Sequence, residues 1–137
     1  MMNAPAPAPS APRILLVDDN VDASLILSMS LQLEGFAVER RASGQAALEQ
    51  TPSWQPQAIL LDISMPGMDG YETCRQLREQ PGGQGVVIIA LTGYGGEQDR
   101  SRSQEAGFDW HLIKPVDLTR LTTLLKELIA QKKAGAT

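Results

Sequence analysis

The chain has 137 residues, with 16 Asp and Glu against 12 Lys and Arg, for a net charge of −4. That length suits one domain with its own core, and the acidic balance argues against direct nucleic-acid binding, which needs clustered basic residues. An apolar fraction of 42% is too high for a disordered chain, and a single cysteine, Cys74, excludes an internal disulfide framework and fits a reducing compartment.

Residues 1–12, MMNAPAPAPSAP, alternate Ala and Pro. Such a segment is stiff and has few groups that can pack, so it is expected to be a linker or tail of something longer. It has no charged and apolar signal regions, and no apolar run approaches the roughly 20 residues of a membrane span. A cytoplasmic location is expected, with a folded domain over 13–131 and a short tail over 132–137.

From Arg13 the pattern changes. RILLVDD is a short apolar run that predicts a buried strand, and Asn20 or Asp22 can cap a helix through ASLILSMSLQLE. Gly35 sits where that helix should stop. FAVER predicts a second, less buried strand, and Ser43 caps a short helix, GQAALEQ. A loop punctuated by prolines and containing Trp54 precedes a third strand, AILLD. Asp69 can cap the helix YETCRQLREQ, which PGG stops. VVIIALT predicts a fourth strand, EQDRSRSQEA a polar helix stopped by Gly107, and WHLIK a fifth strand. The last helix, DLTRLTTLLKELIAQ, has Asp117 at its cap and one apolar face of Leu118, Leu121, Leu125 and Leu128. Met65 and Met68 read as filling, and Cys74 as helix packing.

Five strands therefore alternate with five helices, and strands one, three and four are continuously apolar, as parallel strands covered on both faces are. The fold class is α/β with a doubly wound parallel sheet. In such a sheet the carboxyl ends of the strands share one edge, where ligands bind. Asp18 and Asp19 end strand one, Asp62 strand three, Thr92 strand four and Lys114 strand five. A lone strand-end aspartate is commonly a cap; five chemically active residues at one edge are a site.

Carboxylates crowded together repel, and a hard cation relieves them: Mg²⁺ suits carboxylates, water and phosphate oxygens. Without a His or Cys cluster, zinc is not indicated. A carboxylate can act as a nucleophile on phosphorus, with metal and lysine neutralising the developing charge and Thr92 donating a hydrogen bond.

The segments ILLVDDN, LLDISMPGMDGYE, IIALTGY and HLIKPVD, with their spacings, resemble the receiver domain of two-component response regulators over residues 13–131. The resemblance implies a flavodoxin-like, CheY-like five-stranded sheet in the order 2-1-3-4-5. It implies Asp62 as phosphoacceptor, and Asp18, Asp19, Asp62 and the main-chain carbonyl of Ser64 as Mg²⁺ ligands. Lys114 would pair with the phosphoryl group, Pro115 would follow in a cis peptide, and Thr92 would be the switch hydroxyl. Ser64 and Tyr94 stand where the family tunes the lifetime of the acyl phosphate. On this reading Asp62 is a nucleophile rather than a cap.

The expected partners are a histidine kinase or histidine phosphotransfer domain as phosphodonor. An output protein would bind the face of helix four, strand five and helix five. His111 stands where the family usually has Tyr or Phe, and two readings remain open: an exposed strand histidine, or a smaller, titratable ring in the switch role. Two rival functions fit the residues less well. A phosphatase of the haloacid-dehalogenase type needs a second acid two residues after the nucleophile, where this chain has Ser64. A degenerate receiver acting only as a docking module would not need Asp18, Asp19, Asp62, Thr92 and Lys114 together. The resemblance fits a stand-alone regulator or the receiver of a hybrid sensor kinase.

Overall fold

A computed structural model of the chain describes residues 11–64, 69–93 and 97–135, with side chains of the last stretch from residue 101 onward. The elements run β1 (Arg13–Val17), α1 (Val21–Leu33), β2 (Ala37–Arg41), α2 (Gly44–Trp54), β3 (Ala58–Asp62), α3 (Gly70–Glu79), β4 (Val87–Thr92), α4 (Glu97–Ala106), β5 (Trp110–Ile113) and α5 (Leu118–Ala134). All strand pairs are parallel, in the order β2-β1-β3-β4-β5.

Side chains alternate across a strand, so each central strand feeds two cores. Ile14, Leu16, Leu60, Ile89 and Leu91 face one side, where Leu31 of α1 and Leu121, Leu125 and Ile129 of α5 cover them. Leu15, Val17, Ile59, Leu61 and Ile88 face the other, packed with Ala47 of α2, Cys74 and Leu77 of α3 and Ala106 of α4. Fully burying each Leu or Ile contributes about 1.5–3 kcal/mol, which is why the interior positions of these strands are apolar.

Helix starts follow local chemistry. Asn20 caps α1 by accepting from Ala23 N–H at 3.0 Å, so the cap predicted at either Asn20 or Asp22 falls to Asn20. Ser43, Asp69 and Asp117 cap α2, α3 and α5 in the same way. Gly35, just past α1, has φ +100°, a left-handed turn that a β-carbon would strain.

Two helices outrun their predicted ends. α5 continues from Gln131 through Lys132 and Lys133 to Ala134, cations that suit the negative end of the helix dipole. α2 continues through Pro52 to Trp54 instead of giving way to a loop. Pro52 has no N–H for the Leu48 carbonyl one turn back; Gln80 Nε2, beyond α3, donates to that carbonyl at 2.9 Å.

The amino-end edge of the sheet is tied by Arg78. Its guanidinium donates to the carbonyls of Gly83 (2.8 Å) and Gly107 (2.7 and 2.9 Å), contacts that of Val86, and pairs with Asp109 Oδ2 at 2.8 Å. Asp109 also accepts from Ile88 N–H and pairs with Lys132 of α5. Arg40 donates to Ser24 Oγ, Arg41 pairs with Glu39, and Arg102 lies 4.2 Å from the Tyr71 ring centre. Among the described residues no helix is long and apolar enough to cross a membrane.

Candidate phosphoacceptor site

The register of the sheet sets the site. Asp62 is paired with Leu91 and Thr92 with Ile113, so the ends of β3, β4 and β5 come level at the carboxyl edge. Asp18 follows β1 directly, its N–H donating to Arg41 O at 3.0 Å. Asp18, Asp62 and Thr92 are buried, whereas Asp19 is exposed.

Asp62 is held at both oxygens. Oδ2 contacts the Lys114 ammonium, and Oδ1 accepts from Ser64 N–H at 2.9 Å and Ser64 Oγ at 2.6 Å. The Ser64 N–H contact is an Asx-type turn, so Asp62 does cap its loop as well; one oxygen secures the turn and the other faces the lysine. Lys114 is held in turn by its own N–H, which donates to Thr92 O at 2.8 Å, and its peptide to Pro115 is cis.

The two buried carboxyls are driven apart in acidity. Burial pushes Asp18 above its ordinary value, with the nearby Asp62 charge adding to it and the Asn20 N–H opposing. Burial acts on Asp62 in the same direction. The Lys114 ammonium and the Ser64 hydroxyl and N–H outweigh it and hold Asp62 below the usual carboxylate value. Asp62 is therefore ionised at neutral pH and hydrogen-bonded in a fixed orientation.

The sequence-predicted residues Asp18, Asp62, Ser64, Thr92 and Lys114 come together at this edge. Asp19 adjoins them on the chain and is exposed, and among the described residues no three acidic, His or Cys side chains gather at metal-holding spacing. Tyr94, the loop residues 65–68 and residues 1–10 lie outside the described residues. His111 is half-buried opposite Ala90, beside a cavity between α4, β5 and α5 that Ser103, Phe108, Ile113 and Arg120 also line.

The donor set fits a hard dication. Asp18 and Asp62 are neighbouring carboxyls that act on each other, every side-chain donor is oxygen, and among the described residues Lys114 supplies the positive charge beside them. Sequence reasoning used the Ser64 carbonyl and missed its hydroxyl. The signal was present, because Asp followed two residues later by Ser is the spacing of a side-chain-capped turn. It also missed Gly70: a β-carbon there would stand 2.5 Å from Ile63 Cγ2, so only glycine lets α3 start against the residue beside Asp62.

Residues 14–126 match the model of the response regulator receiver domain. The chain is 37% identical over 128 residues to the transcriptional regulatory protein PrrA of Mycobacterium leprae, covering 93% of this chain and 54% of PrrA, so it spans about half of that relative. It superposes on a CheY-like receiver domain protein from Methanospirillum hungatei with TM-score 0.83, at 29% identity over 93% of this chain and all of the other. It also superposes on the receiver domain of the sensor histidine kinase PA1611 from Pseudomonas aeruginosa, which holds a magnesium ion in its active-site cleft. There the TM-score is 0.80 and the identity 33%, over 88% of this chain and 99% of that one. The chain belongs to the response regulator receiver domains of two-component phosphorelay signalling.

Proposed function

We propose that Asp62 accepts a phosphoryl group from a phosphohistidine of a histidine kinase or histidine phosphotransfer domain, and that the acyl phosphate switches a partner-binding face. The observation that carries this reading is the Asp62 carboxylate, buried yet held ionised by Lys114 and Ser64 at the carboxyl edge of the sheet. A carboxylate oxygen attacks phosphorus, the P–N bond to the donor imidazole breaks, and an acyl phosphate forms.

Asp18, Asp19, Asp62 and the Ser64 carbonyl would hold Mg²⁺. When bound, the ion offsets negative charge on the carboxylates and on the transferring oxygens. Lys114, freed from Oδ2 once that oxygen carries phosphorus, pairs with a phosphoryl oxygen. The Thr92 hydroxyl donates to another, and its movement at the end of β4 passes to α4. The face of α4, β5 and α5, with His111 beside its cavity, then presents a second conformation to the output partner. A difference of a few kcal/mol between the two states suffices for such a switch.

Intact-mass measurement after incubation with acetyl phosphate, with and without Mg²⁺, tests the reading. A Mg²⁺-dependent adduct is expected in the native chain and none in Asp62→Asn. A folded protein without an adduct under any condition would remove the phosphoacceptor role and leave docking as the function.

A further inference from the structure

The amino edge of the sheet, away from Asp62, holds another cavity. It opens between the end of α2, the loop from Gln80 to Val86 and the last turns of α5, and encloses about 330 Å³. That lies at the lower end of the range for small-ligand pockets, about 300–1,000 Å³. Its apolar part is Pro52, Pro56, Pro81, Val86 and Ile129, of which Pro56, Val86 and Ile129 are buried. The walls are tied to one another by hydrogen bonds. Arg78 holds the carbonyls of Gly83 and Val86, Gly83 N–H donates to Gln80 O at 2.8 Å, and the Gln80 amide holds Leu48 O of α2. Only glycine fits position 83, because a β-carbon there would stand 2.1 Å from Leu77 O.

The lining carries no acid although the chain as a whole is acidic. Against 16 Asp and Glu in the sequence, the charged residues lining this cavity are Lys132 and Lys133. Lys132 is engaged by Asp109 Oδ1 and Gln84 O, both at 3.2 Å. Lys133 is exposed, and among the described residues no carboxylate pairs with it. A third cation stands at the rim, where the Arg13 guanidinium donates to Gln55 O at 2.8 Å.

We propose that this cavity binds a small organic monocarboxylate with an apolar body. The body lies on Pro56, Val86 and Ile129, where its surface leaves water, and the carboxylate pairs with the Lys133 ammonium. One unpaired ammonium over an apolar floor balances one charge, so a dianion such as phosphate is the poorer fit. The cavity and Asp62 lie at opposite edges of the sheet, so both can be occupied at once. A bound carboxylate would clamp α2, the loop before β4 and α5 together, giving the domain a chemical input apart from phosphoryl transfer.

Titration of the whole chain with phenylacetate, followed by proton–nitrogen NMR, tests this, with phenylacetamide as the uncharged twin. Saturable shifts of the Gly82, Gly85 and Val86 N–H signals are expected, with a dissociation constant of about 1 mM for so small a ligand. Lys133→Gln should weaken phenylacetate about threefold, as loss of one exposed ion pair does, and leave phenylacetamide unchanged. Lys126→Gln, on α5 but outside the lining, should change neither. Both lysines are exposed, so circular dichroism should show an unchanged fold in each variant. Asp62→Asn should bind phenylacetate like the native chain, which separates this site from the phosphoacceptor. Signals that stay still at about ten times the expected dissociation constant would overturn the proposal. So would equal weakening by Lys133→Gln and Lys126→Gln, displacement by inorganic phosphate, or shifts gathered around Lys114 instead.

Discussion

Lys114 Nζ rests on Asp62 Oδ2 although 52 positions separate the two residues. The contact ties the end of β5 to the end of β3 across β4, and it lowers the pKa of a carboxylate that burial alone would raise. Two parts of the chain that share no local motif thus set the chemistry of one oxygen.

Lys114→Gln should let Asp62 titrate at a higher pH, as followed by carbon-detected NMR of the side-chain carboxyl. The sign follows from linkage. With a depressed folded value, Asp62 contributes stability above its unfolded value, and that contribution is lost as pH falls through the folded one. Removing the ammonium shrinks this contribution. The loss near neutral pH is about 1 kcal/mol, because the lysine side chain is 35% exposed and water screens it.

Asp18→Asn should act in the opposite direction. A raised folded value means that Asp18 favours the fold while protonated and that this benefit fades as pH rises from the unfolded value through the folded one. The amide removes a buried charge that repels Asp62. Thermal unfolding without Mg²⁺ should show a midpoint a few degrees higher at pH 7 for about 1 kcal/mol, with no gain well below pH 4. Adding Mg²⁺ should stabilise the native protein more than the variant.

Gly70→Ala should cost about 1–3 kcal/mol, since the new methyl meets Ile63 at Cγ2, Cβ and the backbone Cα, at 2.5 to 3.0 Å. Ile63 adjoins both Asp62 and Ser64. The substitution should therefore also slow adduct formation with acetyl phosphate in the fraction that remains folded, as read by mass at matched folded concentration.

Arg78→Met should be among the more damaging single changes outside the site, about 3 kcal/mol in urea unfolding. It leaves Asp109 largely buried with a weaker partner in Lys132 and strips three carbonyls of a donor. Because Arg78 lies at the opposite edge of the sheet from Asp62, phosphorylation by acetyl phosphate should persist in the folded fraction.

Much of this was legible in the sequence because the strands announce themselves. ILLV, AILL and VIIAL are uninterrupted apolar runs, and each ends just before an Asp or Thr at the carboxyl rim of the sheet. Position at a strand end is local information. The Arg78 cluster is not, since its carbonyl partners look alike in any sequence and only the folded chain brings Gly83, Val86 and Gly107 together. The length of α2 was hidden for the same reason: Pro52 argues for a loop until Gln80, 28 residues later, is seen to replace the lost donor. The face of α1 lay between the two cases. Its apolar residues are plain to read, but their exposure depends on which side the sheet and α5 have already taken.

The Gln80 amide has one more consequence, for how the molecule opens. The last turn of α2 borrows a hydrogen bond from the segment after α3, so neither end can fray alone without stranding the Leu48 carbonyl. Pro52 has no amide proton to report on this, but the neighbouring N–H of Gln55, which donates to Thr51 O, does. Its hydrogen exchange should keep pace with that of Gly83, whose N–H donates to Gln80 O. Two surface turns that share no sequence would then breathe as one unit, and positions 52 and 80 would change safely only together.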